Sequence, residues 1–207
     1  KSYSSIIRVE AQKDIAQARW ISKAATDYAR WILMADIRGF VGHSSQIDHL
    51  QEPWAQEIPY IKIDKLFRSR LSEEEQRFFS LAALSGKITD EQSKFNLARI
   101  TDSKKTLHAE KGLKILFQKL KINELKFKEF LNLLRKQNSV LLNEFPSKFN
   151  SLDLKHQRTK RLKKIISQLK LNSSLEKKLI DSITWLPKPT PININTASAV
   201  VIASTLI

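Results

Sequence analysis

From Ile6 to Ile37 the chain carries neither Gly nor Pro, and helix-forming residues dominate the stretch. Ala11, Ala18, Ile21, Ala25, Tyr28, Ile32 and Ala35 recur at spacings of three, four and seven, which places them on one face of an α-helix. Asp14 is the polar interruption of that stripe. A second ridge, Trp20, Ala24 and Trp31, is offset round the same helix, its indoles close to three turns apart. A helix over residues 6–37 would be about 45 Å long at ~1.5 Å per residue. That is more than a small domain covers, so part of it is expected to project or to pack against neighbouring subunits. A long helix lying along the side of one domain is the alternative.

The 207 residues suffice for one large domain or two small ones, and a 42% hydrophobic content supports a core. The formal charge of +15 and the pI near 10.0 point to an anionic partner. That charge is local. Residues 103–185 hold 20 Lys and Arg against 7 Asp and Glu, whereas residues 1–102 hold 15 against 14. The step at 102/103 is the expected domain boundary. Without cysteine there is no disulfide or thiolate chemistry. No apolar run approaches the ~18–20 residues that span a bilayer, and no signal-peptide pattern is present. Because the chain enters a helix almost at Lys1, an N-terminal anchor upstream is expected.

Gly39, Gly42, Pro53 and Pro59 mark residues 38–59 as loop. Tyr60–Asp64 alternates like a short strand, and Ser72-Glu73-Glu74-Glu75 reads as a capping box opening a helix to about Phe79. Leu84, Gly86 and Ile88 alternate on one side of Asp90–Ser93, and Phe95 and Leu97 on the other, which predicts a hairpin over 84–100. Gly86 within it marks a bulge or a close approach to the backbone. Beyond Ser103 the period becomes helical. Leu113/Leu116/Phe117/Leu120, Phe127/Phe130/Leu131/Leu134, Leu162/Ile165/Ile166/Leu169 and Leu175/Leu179/Ile183 form four stripes that can bury one another. Alternate prolines at 187, 189 and 191 stiffen an extended segment. A strand over 190–195 then follows, and a last helix is capped by Asn195 or Thr196. The expected fold is α+β: a long N-terminal helix on a small antiparallel sheet, formed by residues 1–102 and 186–207, with an all-α basic domain inserted at 103–185.

Four stretches, in this order, resemble the K-type minor pseudopilins of bacterial type II secretion systems (general secretion pathway protein K). They are ARWISKAATDYARWIL (18–33), DHLQEPWAQ (48–56), GKITDEQSKFNL (86–97) and LPKPTPININTASAVVIAS (186–204). The resemblance implies a pilin-like, non-enzymatic protomer with an α-domain inserted between strands. It also implies a periplasmic location, with an inner-membrane segment N-terminal to this chain. Such proteins cap the pseudopilus tip with the I-type and J-type minor pseudopilins, supporting protein export across the outer membrane. Ile7, Ala11, Ala18, Trp20 and Ile21 are then the expected partner-binding residues, while Ala25, Tyr28 and Ile32 should lie under the sheet. Trp31 could serve either side.

Ala98 departs from the family, many of whose members have Asn at that position. Some members also carry an acidic run in the insertion that resembles a calcium site. Here no two acidic residues between Ser103 and Trp185 lie within three positions of each other. Calcium needs clustered oxygen ligands, so no cofactor is expected.

Sharper chemistry finds little support. His43, Asp48 and His49 lack the rigid third ligand that zinc requires. Asp90 and Glu91 are most simply turn residues, and neither His108 nor His156 neighbours a nucleophile pattern. Lys155, Arg158, Lys160, Arg161, Lys163, Lys164 and Lys170 flank an apolar stripe, as in a phosphate-contacting helix or a solvated one. The alternative reading is therefore a basic helical nucleic-acid-binding protein, for ININTASA is similar to the opening of helix-hairpin-helix modules. The Gly-rich hairpin of those modules is missing, since no Gly follows Gly112. A secreted substrate or an anionic secretin surface is a further candidate for the basic segment.

Overall fold

The computed structural model describes residues 2–38, 47–62, 72–74, 76, 82–101, 106–144 and 151–206. The chain is mostly helical α+β, with a long N-terminal helix and a small antiparallel pair of strands. It divides into two compact units, Lys1–Thr89 and Asp90–Ile207.

The first unit begins with α1, Ser2–Ile37, as the Gly- and Pro-free stretch requires. At 36 residues it is about 54 Å long. Near its C-terminal end the stripe becomes covered: Ile21, Ala25 and Ile32 are half-buried and Ala35 is buried. Among the described residues a 3-10 turn, Pro53–Ala55, whose Trp54 is buried, packs against α1. The unit's strands are β1, Ile58–Lys62, and β2, Ala83–Gly86, paired antiparallel with Ile61 opposite Leu84. Their register slips between Ile58 and Ile61. Gly86 lies opposite Ile58, and a Cβ there would meet nothing within 4 Å. Of its two expected roles, the irregular pairing remains and the close approach does not. Glu73 and Glu74 are helical, with Gln76 N donating to Ser72 O at 2.9 Å, and the rest of that helix lies outside the described residues.

The second unit contains β3 (Phe95–Asn96), α2 (Ala98–Thr101), α3 (Thr106–Lys119), α4 (Glu124–Glu144) and α5 (Ser151–Gln168). These are followed by α6 (Ser173–Ser182), β4 (Ile183–Thr184) and α7 (Ala199–Ala203). All four expected helical stripes enter one core, with Leu113, Leu116, Phe130, Leu134, Ile165, Leu169 and Leu179 fully covered. Phe117 packs edge-on against Phe127, at 5.4 Å between ring centroids.

Four expectations change. The 84–100 hairpin does not form, because its halves pair elsewhere: β2 with β1, and β3 in parallel with β4. Residues 190–195 are not a strand; Asn193–Thr196 is a turn in which Ala197 N donates to Asn193 O at 3.0 Å. The helix after it is capped by Ser198, which accepts from Val201 N, rather than by Asn195 or Thr196. The compact units also divide at 89/90, not at 102/103. Phe95, Leu97, Ile100, Trp185 and Val201 share the helices' core, so residues 90–101 and 183–206 fold with the helices they flank.

Asn96 explains that union. It is almost fully buried, and its Nδ2 donates to Lys188 O (2.8 Å) and Thr190 Oγ1 (3.0 Å). Its Oδ1 accepts from Ala98 N (3.0 Å) and Leu186 N (3.2 Å), so one side chain joins β3, α2 and the proline segment. Asn96→Ala would break all four bonds, among them that of the buried Ala98 N–H, and is expected to destabilise the second unit by about 2–4 kcal/mol in denaturant unfolding. Gly86→Ala, with open space at the Cβ, is expected instead to stabilise by about 0.4–1 kcal/mol in the same assay.

Candidate functional site

Residues 4–20 of α1 are exposed on every side, apart from the half-buried Gln17. Ile6, Ile7, Val9 and Ile15 expose half or more of their surface, and Trp20 exposes 66%. Of the five expected partner-binding residues, Ile7, Ala11, Ala18 and Trp20 are exposed, whereas Ile21 is half-buried. Ile7, Ala11, Ala18 and Ile21 recur at helical spacing, so they line one side of the rod. Trp20 lies beside that line with the Lys23 ammonium 5.6 Å from its ring centroid, a cation–π contact that leaves most of the indole open.

Closer to the C-terminal end, one expectation changes. Tyr28 does not lie under a sheet: it is 49% exposed and stacks on the exposed Trp31 at 6.1 Å between centroids. Ala25 and Ile32 are half-buried and Ala35 is buried, and the Trp54 turn is among the elements packed on α1. Exposed aromatics therefore continue past Trp20 to Trp31. Scattered apolar residues are ordinary on a surface, but here Ile, Val and Trp are exposed along several turns of one rod.

At the far end of α1 the structure assembles a group that separated sequence positions did not reveal. Carboxylate oxygens of Asp36, Asp48 and Glu52 lie within 4.8 Å of one another. Glu52 is buried and accepts from Trp54 Nε1 and His49 N, each at 2.8 Å. Of the residues considered as metal ligands, Asp48 joins this group, His49 contributes its backbone N–H to Glu52, and His43 lies outside the described residues. Three carboxylates could supply part of a hard cation's shell, which takes six to eight oxygens for calcium. Burial, and then the negative charges of Glu52 and Asp48, raise the Asp36 pKa above its ordinary 3.8, with His49 opposing.

The basic helix also resolves into separate roles. Arg158 is buried, its guanidinium 5.3 Å from the Trp185 ring centroid while Nη1 donates to Leu186 O at 2.6 Å. Half-buried Arg161 donates to Gln137 Oε1 at 2.8 Å. Neither belongs to an open phosphate-binding face, whereas Lys160, Lys163, Lys164 and Lys170 are exposed. Asp90 does bond its local backbone, accepting from Gln92 N at 2.7 Å. It also accepts from Asn193 Nδ2 (3.1 Å) and Thr196 Oγ1 (2.6 Å), and Glu91 accepts from Thr184. Asn193 and Thr196 of ININTASA are thus tied to Asp90.

Among the described residues, no helix is long and apolar enough to cross a membrane. Compared with known proteins, the chain matches no family model, and no curated protein is significantly similar to it.

The sign of the Asp36 shift gives a prediction. A carboxyl whose folded-state pKa is raised favours the protonated fold, so its contribution is full below 3.8 and is lost as pH rises through the raised value. A charged Asp36 also sits in the last turn of α1, where the helix dipole disfavours a negative charge. Asp36→Asn is therefore expected to raise the melting temperature at pH 7, by tryptophan fluorescence. That gain should shrink as the pH is lowered towards 3.8.

Proposed function

We propose that the chain is a K-type minor pseudopilin, a non-enzymatic protomer of a type II secretion pseudopilus. It would assemble with the I-type and J-type minor pseudopilins at the pseudopilus tip. The observation that carries this reading is the exposed N-terminal part of α1, together with the four sequence stretches that resemble the family. A helix that its own unit leaves open on all sides over residues 4–20 suits packing beside the parallel helices of sibling subunits. The work of such a protein is done by surfaces, and burying one Trp or Ile at an interface contributes on the order of 2 kcal/mol.

On this reading the protomer stands in the periplasm, held in the inner membrane before assembly by a segment N-terminal to this chain. The second unit supplies the bulk that prevents another subunit from stacking above. The long helix and the small antiparallel pair are compatible with a pilin-like protomer. The insertion belongs to the proposal in a modified form, since its helices share a core with the strands on either side.

Ala18→Arg tests the interface without disturbing the fold, because Ala18 is exposed. The variant is expected to keep its circular dichroism spectrum and melting temperature. Its binding to the I-type and J-type partners in co-purification should weaken by about tenfold or more, as a buried unpaired charge costs several kcal/mol. Unchanged binding would show that this face is not the interface.

A further inference from the structure

The second unit contains a cleft of about 410 Å³ where the end of α3, the last turns of α6 and the approach to α7 meet. Lys119, Lys121 and Lys178 line it from two of these elements, with Asp181 as the one carboxylate. Lys121 reaches its place because α3 closes in a tight turn. Ile122 N donates to Phe117 O and Lys121 N to Gln118 O, each at 2.9 Å, with Lys121 at φ 61°. Gly or Asn suits that conformation better than Lys. Lys170 ends α5 with a similar φ of 50°, so the turn alone implies no ligand. The convergence does.

None of the three lysines forms an ion pair among the described residues, although other unit-two lysines pair with Glu91, Glu124 and Glu129. Helix-terminal carbonyls of α3 and α6 neutralise part of this positive charge. Ser198 Oγ accepts from Val201 N, which leaves its proton to donate, while Ser182 Oγ is already committed to Lys178 O at 2.7 Å. Leu120 and Val200 add an apolar side. The volume falls within the ~300–1,000 Å³ usual for small-molecule sites. Ammonium donors, one free hydroxyl and apolar flanks suit a tetrahedral oxyanion attached to a small organic body.

We propose that this cleft binds a phosphate group carried by a small ester or a lipid headgroup, through Lys119, Lys121 and Lys178 with Ser198 as a further donor. The site is independent of the assembly face on α1, and Ala18→Arg should leave it intact. Glycerol phosphate titrated into the full chain should shift amide resonances around residues 119–122 and 198–201 saturably. Lys121→Asn combined with Lys178→Gln should weaken binding by about tenfold or more, since two charge-assisted hydrogen bonds to the phosphate are lost. Asn suits the left-handed turn, so the pair should fold. Lys163→Gln with Lys164→Gln removes the same charge from α5 and should change nothing. Phosphatidylglycerol vesicles, against phosphatidylcholine, separate the two sources: co-sedimentation that requires Lys121 and Lys178 identifies a headgroup. Binding of glycerol phosphate without co-sedimentation identifies a soluble ester. Binding lost equally in both double variants, or in neither, or shifts spread over every lysine without saturation, would overturn the proposal.

Discussion

The length of α1 is the constraint on which the rest turns. About 54 Å of helix belongs to a unit that ends at Thr89, and cover reaches the helix only from about Ile21 onward. Isolated helices gain little from propensity alone, because most helical stability in proteins comes from packing an apolar face. Residues 4–20 are good helix formers and carry Ile, Val and Trp, yet all but the half-buried Gln17 are exposed. The proposed assembly role has this physical content: a second chain would complete the packing.

The second unit follows the opposite logic. Its aromatic and leucine stripes satisfy one another, and its buried polar atoms are joined across long sequence separations. Asn96 reaches Lys188 and Thr190, Asp90 reaches Asn193 and Thr196, and Arg158 stacks on Trp185. These contacts stitch the segments before and after the helices into their core. A helical domain merely tethered between two strands would need no such contacts.

The same contrast explains what the sequence revealed. Helical periodicity is local, so α1 and the four stripes were legible, as was the loop at Pro53. Strand pairing is not local. Leu84 and Phe95 each alternate correctly on either side of a turn, but β2 finds its partner at Ile58–Lys62 and β3 at Ile183. Capping shows a similar limit: Asn195, Thr196 and Ser198 are all good cap residues, but Thr196 is bonded to Asp90 and Ser198 takes the role. At the candidate site Ile7, Ala11, Ala18 and Trp20 were readable as one exposed helix surface. Tyr28 was not, because its exposure depends on how little the turn and strands cover. The Asp36, Asp48 and Glu52 group gave no signal, since it forms only when the chain after α1 folds back.

Electrostatics divide in the same manner. The excess of Lys is concentrated in the helical unit, where Arg158 and Arg161 turn inward while most lysines face outward. α1 carries acids and bases in near balance, which suits contact with like helices rather than with a polyanion. Hydrogen–deuterium exchange along α1, alone and mixed with the I-type and J-type minor pseudopilins, tests the central claim most directly. The account predicts fast exchange over residues 4–20 in the isolated chain and strong protection there once the partners are added. Exchange that is already slow in the isolated chain, or unaffected by the partners, would contradict it.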